Sequence, residues 1–108
     1  MRAALRSATN ESMPGYIIAE VAVRDPDEYA EYRKLVPATL VPYGGRFIVR
    51  GGESVGLEGA PPAQRTVIIE FPSLAQAKAW WASQEYAAAK AIRQRTAKSR
   101  LIAVAGVE

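Results

Sequence analysis

The sequence predicts an α+β domain of order βαββαβ, on three observations. Four segments alternate apolar and polar residues with the two-residue period of a strand. Two stretches between them open with helix N-cap signals and continue with apolar residues at helical spacing. The 108 residues contain no internal repeat and no linker that would divide them, and a 49% hydrophobic content suffices for one modest core.

The first strand is YIIAEVAV (16–23), which places Ile17, Ala19, Val21 and Val23 on one face and Ile18, Glu20 and Ala22 on the other. DPDEYAEYRKLV follows, with Asp25 as N-cap, Pro26 at the first helical position and Glu28 at capping-box spacing. Tyr29, Tyr32, Val36, Leu40 and Tyr43 form the helix's buried stripe, and Pro37 predicts a kink or an end to its regular part near Val36. Gly44 and Gly45 release the chain into a second strand, RFIVRGG, where strict alternation puts Arg46, Ile48 and Arg50 on one side and Phe47 and Val49 on the other.

A glycine- and proline-rich excursion through residue 64 carries a short extended piece around Val55 to Glu58. TVIIEF (66–71) is the third strand. Ser73 with Gln76 caps the next helix, whose inner face is Leu74, Ala77 and Trp81, and Ser83 caps a separate segment, QEYAAAKAIRQR. RLIAVAGV (100–107) is the fourth strand. Short connections and this order give a four-stranded antiparallel sheet with the helices on one face, the ferredoxin-like arrangement.

The helix-covered face then collects Ile17, Ala19, Val21, Val23, Phe47, Val49, Val67, Ile69, Phe71, Ile102 and Val104. The opposite face collects Ile18, Glu20, Ala22, Arg46, Ile48, Arg50, Ile68, Glu70, Leu101 and Ala103. It is too aliphatic to be left to water. A second copy packed sheet against sheet covers it, with Arg46 and Arg50 as ion-pair partners of Glu20 and Glu70 within or across subunits. Ile18, Glu20, Ile48, Arg50, Ile68 and Leu101 are the dimer-face candidates.

Composition narrows the chemistry. The net charge of +3 is scattered rather than gathered in a stripe, which argues against a nucleic-acid partner, and no run approaches the roughly 18 apolar residues of a membrane span. The chain has no cysteine and no histidine. That removes thiolate chemistry, the usual metal ligands and the commonest general base, so no metal and no cofactor are expected. MRAALRSATNES lacks the apolar core of a secretory signal. Residues 1–13 are expected to be a disordered or flexible extension, with a targeting segment as the alternative, and residues 14–108 a single cytoplasmic domain.

The segments YIIAE, DPDEYAEYR, YGGRFIVRGG, IIEFPS and WWASQEY, in this order, resemble the uncharacterised bacterial family numbered 1330 among domains of unknown function (DUF1330). The likeness runs from Pro14 to Val107. It implies the dimeric α+β barrel superfamily, which includes small cofactor-free monooxygenases, dehydratases and isomerases as well as stress-related proteins. The family pattern commonly has W-Y-x-S-P-E-Y, where this chain has Trp81 and Gln84 at the Tyr and Pro positions.

Two functional readings follow. In the first, a cofactor-independent enzyme acts on a small oxygenated or carbonyl compound, with Tyr32, Arg46 and Glu70 as catalytic candidates: an arginine stabilises developing negative charge, and the tyrosine or glutamate moves a proton. In the second, a non-catalytic dimer binds a small metabolite or acts as a scaffold. Tyr29, Tyr43, Trp80, Tyr86 and Arg93 are the candidates for lining a ligand pocket, since aromatic rings with polar tips enclose and orient a small molecule. The same aromatic stripe can serve as plain core, and the same charges as structural ion pairs.

Overall fold

The computed structural model describes residues 13–107, so the predicted extension lies, apart from Met13, outside the described residues. The elements are β1 (Gly15–Val23), α1 (Pro26–Leu40) with a 3-10 turn at Val41–Tyr43, β2 (Arg46–Arg50), β3 (Arg65–Phe71), α2 (Leu74–Trp81), α3 (Gln84–Thr96) and β4 (Ala97–Ala105). The strands form one antiparallel sheet in the order β2-β3-β1-β4, as the ferredoxin-like arrangement requires. No strand forms over Val55 to Glu58.

Local chemistry sets the helix starts. Asp25 accepts from the Glu28 amide at 3.2 Å, Ser73 from Gln76 at 3.1 Å and Ser83 from Tyr86 at 3.1 Å. Gly44, at φ 71°, makes the left-handed turn into β2. The core joins Ile17, Ala19, Val21, Val67, Ile69 and Phe71 of the sheet to Tyr29, Val36, Leu40, Ala77, Trp80, Tyr86 and Ala89 of the helices.

Three expectations are corrected. First, α1 runs through Pro37 to Leu40. A proline supplies no amide hydrogen to the carbonyl four residues back, here Arg33. Arg50 supplies the missing donor instead, its Nη2 lying 2.8 Å from the Arg33 carbonyl oxygen. Second, Trp80 is the tryptophan on the inner face of α2, fully buried with its Nε1 donating to Thr39 Oγ1 at 3.0 Å, while Trp81 is 42% exposed.

Third, two strands have the opposite parity to the one predicted over part of their length. In β2, Phe47 faces Ile69 but Val49 faces Ile68, so Ile48 is an extra residue, a β-bulge. Beyond it Arg50 pairs with Val67 and turns to the helix side, and Val49 turns to the open face. In β4, the Thr96 carbonyl accepts from the amides of Arg24 and Asp25, which sets Ala97 opposite Val23 and therefore Leu101 opposite Ala19. Leu101 and Ala103 thus face the helices, and Ile102 and Val104, each 40% exposed, face away.

The caps differ in burial, which gives a test. Ser83 is buried and its Oγ also donates to the Trp80 carbonyl at 2.7 Å, joining α2 to α3, whereas Asp25 is exposed. Ser83→Ala is expected to cost about 2 kcal/mol and Asp25→Ala about 1 kcal/mol. Urea denaturation measures both, and equal losses would remove the significance of the buried link.

Candidate functional site

Rungs of the sheet explain where space is left. On the helix side Arg50, Val67, Ala19 and Leu101 lie abreast, and so do Arg65, Val21 and Ser99. Ala19 is small, which leaves room between sheet and helices at its rung. The result is a cavity enclosed by Tyr29, Tyr32, Val36, Phe47, Ile69 and Trp80, with Arg33, Arg50, Arg65 and Arg93 also in its lining. It is narrow: the water-accessible volume is about 30 Å³, within about 430 Å³ of atom-free space that includes the open mouth. About 10–15 Å³ suffices for one water, so the closed form holds a very small molecule and a larger one must displace side chains. Of the four arginines in the lining, Arg33 and Arg50 are the exposed ones.

An aromatic stack forms one end. Tyr86 lies 3.9 Å from Trp80 between ring centroids, and its hydroxyl is 2.8 Å from that of Tyr32. Arg93, only 5% exposed, donates from Nε to the Tyr86 hydroxyl at 3.2 Å and from Nη1 to Ser99 Oγ at 2.5 Å. Both partners are neutral. Burial, with the Tyr86 hydroxyl as a lesser cause, pushes the Tyr32 phenol far above its ordinary value, so it stays protonated and acts as a donor rather than a base near neutral pH.

At the mouth, Arg50 sits 4.1 Å over the Phe47 ring and Arg65 5.9 Å over that of Tyr29. Burial first, then repulsion from Arg33 and Arg65, lowers the Arg50 guanidinium below its usual value. Arg65 lies against Gly51, where the positive φ of 74° and the lack of a Cβ permit the approach. Its Nε is buried and finds no hydrogen-bond partner among the described residues.

The catalytic candidates are not brought together. Tyr32 is in the cavity, but Arg46 and Glu70 form an ion pair at 2.6 Å on the open face, where Tyr16 also donates to Glu70 at 3.2 Å. Of the ligand-pocket candidates, Tyr29, Trp80 and Arg93 line the cavity and Tyr86 backs it, while Tyr43 bonds Glu85 at 2.9 Å elsewhere. Of the dimer-face candidates, Ile18, Ile48, Ile68 and Glu20 belong to the open face, but Glu20 pairs with Arg100 at 3.0 Å rather than with Arg50. The bulge moves Arg50, and the β4 register moves Leu101, to the cavity side.

Sequence reasoning missed Arg33 and Arg65. Arg33 is four residues from both Tyr29 and Pro37, and Arg65 shares the parity of Val67 and Ile69; both signals were present. A broader apolar groove lies between α2 and β4 around Trp81 and Ile102, with Lys78 as the ionisable side chain of its lining. Being wide and nearly without polar groups, it offers less chemistry than the smaller cavity. The departure from the family pattern at Trp81 lies there and not in the cavity.

Among the described residues no group of His, Cys, Asp or Glu could hold a metal ion, and no helix is long and apolar enough to cross a membrane. Fold and cavity together define a ferredoxin-like α+β protein with an arginine- and tyrosine-lined space between sheet and helices. The chain belongs to the family described as Domain of unknown function (DUF1330), whose model matches residues 14–107.

Among solved structures it is similar to a protein of unknown function from Rhodopseudomonas palustris, with 22% identity and a TM-score of 0.71 over 99% of this chain and 92% of that one. A Bacteroides thetaiotaomicron protein described as a possible oxidoreductase is 13% identical, with a TM-score of 0.56 over 87% and 98% of the two chains. A Bacteroides fragilis protein described as dimeric, of unknown function and ferredoxin-like fold, is 14% identical, with a TM-score of 0.55 over 85% and 94%. The comparison with curated proteins finds no match.

The buried phenol predicts a pH dependence. Because Tyr32 is raised in the folded state above its ordinary 10.0, its contribution to stability is intact below about pH 10 and is lost as pH rises further, when the unfolded chain ionises and the folded one resists. Thermal melts are expected to fall above pH 10, and less steeply in Tyr32→Phe. Identical slopes would show that Tyr32 is not the group responsible.

Proposed function

We propose that this protein is a homodimer that binds a small metabolite in the cavity between its sheet and its helices. The observation that carries the reading is the cavity itself. Protein interiors are ordinarily filled to crystal-like density, and here aromatic rings, a tyrosine hydroxyl and guanidinium groups converge on space instead of filling it. Native mass spectrometry of the purified protein, and ligand-observed NMR with a library of small metabolites, test it. A cavity that takes up nothing from such a library counts against it.

The second reading, a cofactor-independent enzyme acting on a small oxygenated or carbonyl compound, is favoured by Tyr32. Its retained proton, with the Arg93 guanidinium nearby, suits an oxyanion. The relative described as a possible oxidoreductase is in keeping with that reading. Binding is favoured over catalysis because the lining of the cavity includes, among the described residues, no carboxylate to serve as a base, Glu70 being on the other face.

Dimerisation is supported by the open face of the sheet. Val49, Ile68, Ile18 and Ile102 form one continuous apolar rung across all four strands, between a rung carrying Arg46, Glu70 and Tyr16 and another carrying Glu20 and Arg100. An exposed stripe of this kind, rimmed by ion pairs already satisfied, suits a second copy related by a two-fold axis. The Bacteroides fragilis relative described as dimeric is in keeping with it.

Ile68→Lys is expected to give a folded monomer in sedimentation experiments where the natural protein sediments as a dimer; a natural protein that is monomeric at micromolar concentration would sink the proposal. Arg46→Ala discriminates further. Arg46 is 72% exposed in a single chain, so its loss costs no more than about 1 kcal/mol there, but about 3 kcal/mol if a partner buries the stranded Glu70.

A further inference from the structure

We infer that the cavity selects the carboxylate of a small apolar acid, the anion being held by Arg93 and Arg65 with a hydrogen bond from Tyr32. This rests on the reading of the cavity as a ligand site and names the ligand class it takes. The first support is uncompensated charge. Arg33, Arg50, Arg65 and Arg93 all line the cavity, and among the described residues no Asp or Glu does. Glu28, Glu20 and Glu70 are each paired with another arginine: Arg95, Arg100 and Arg46 respectively.

Burying a guanidinium without a counter-charge is costly, and among the described residues Arg93 is hydrogen-bonded by its guanidinium to neutral hydroxyls only. Arg65 also lines the cavity, and its buried Nε has no partner among the described residues, so no acceptor there offsets its charge. Because Arg93 donates to the Tyr86 oxygen, Tyr86 can give its own proton to Tyr32, which leaves the Tyr32 proton for the ligand.

The walls fix the rest of the molecule. Val36, Phe47, Ile69 and Trp80 present apolar surface, so the body attached to the anion is apolar. The narrow interior favours a planar, singly charged group over a phosphate, whose second charge raises the cost of leaving water. A carboxylate also matches the planar fork of a guanidinium. Arg50, held on the Arg33 carbonyl, adds a further guanidinium to the lining.

The test titrates the full chain, at fixed ionic strength, with butanoate and benzoate against butanamide, benzamide and phenyl phosphate, followed by tryptophan fluorescence and ligand-observed NMR. Each acid is expected to bind at least ten-fold more tightly than its amide. Arg65→Met and Arg93→Met are each expected to remove that preference, and Arg46→Met, on the opposite face, to retain it. Circular dichroism checks folding, and the partly exposed Arg65 keeps the test decisive if Arg93→Met fails to fold. Amides binding as tightly as acids, or an unchanged preference in Arg65→Met, would overturn the charge selectivity while leaving a ligand cavity standing. Tighter binding of phenyl phosphate than of benzoate would overturn the assignment to carboxylates. Binding of none of the probes would overturn both the selectivity and the cavity reading.

Discussion

The hydrogen bond from Arg50 to the carbonyl of Arg33 joins two irregularities, and both of its residues line the cavity. A proline inside a helix removes a donor and pushes its ring against the carbonyl four residues earlier, so Pro37 leaves the Arg33 oxygen both free and accessible. A bulge in a strand reverses the side to which every later residue points, so Ile48 turns Arg50 towards that oxygen. Without the bulge Arg50 would join the open face, and without the proline the carbonyl would be occupied within the helix. Together they hold the end of an edge strand to the middle of α1 and set a guanidinium over the cavity mouth.

What could be read from the sequence follows from the range of the interactions concerned. The helix starts were legible because a cap is settled within four residues, and Asp25, Ser73 and Ser83 act as their spacing predicts. The order of elements was legible because apolar periodicity is also local. Parity in β2 and β4 was not. RLIAVAGV is apolar in both registers, and the choice between them falls to the Thr96 carbonyl, which binds amides of residues 24 and 25. The bulge at Ile48 leaves no compositional mark. The two adjacent tryptophans show the same limit: either could have been the inner one, and Trp80 takes the place because its indole finds Thr39 across the core.

The site was legible in part for the same reason. Tyr29, Trp80 and Arg93 belong to helical stripes whose phase the sequence shows, and all of them reach the cavity lining. Tyr43 lies beyond the end of α1 in the 3-10 turn, where the helical angle no longer applies, and its hydroxyl goes to Glu85. Tyr32 lies apart from Arg46 and Glu70 because the helix and that pair are on opposite sides of the sheet. No sequence spacing reveals which arginine has an acid and which has none.

That distribution of charge is the consequence with most bearing on function. The two faces of the sheet share a backbone and differ in electrostatics. On the open side each described sheet glutamate has an arginine opposite or beside it, and the apolar rung lies between the pairs. On the helix side arginines gather without an acid, and only neutral hydroxyls meet the most buried of them. A structural account explains the first face well, since compensated charge around apolar surface suits contact with another protein surface. It explains the second poorly, because packing alone would favour an apolar side chain at position 93. In β3 the faces alternate residue by residue, with Ile68 and Glu70 on one side and Val67 and Ile69 on the other. Side chains of the open face and side chains of the cavity lining therefore alternate along the same strand, and each set can be altered without touching a residue of the other.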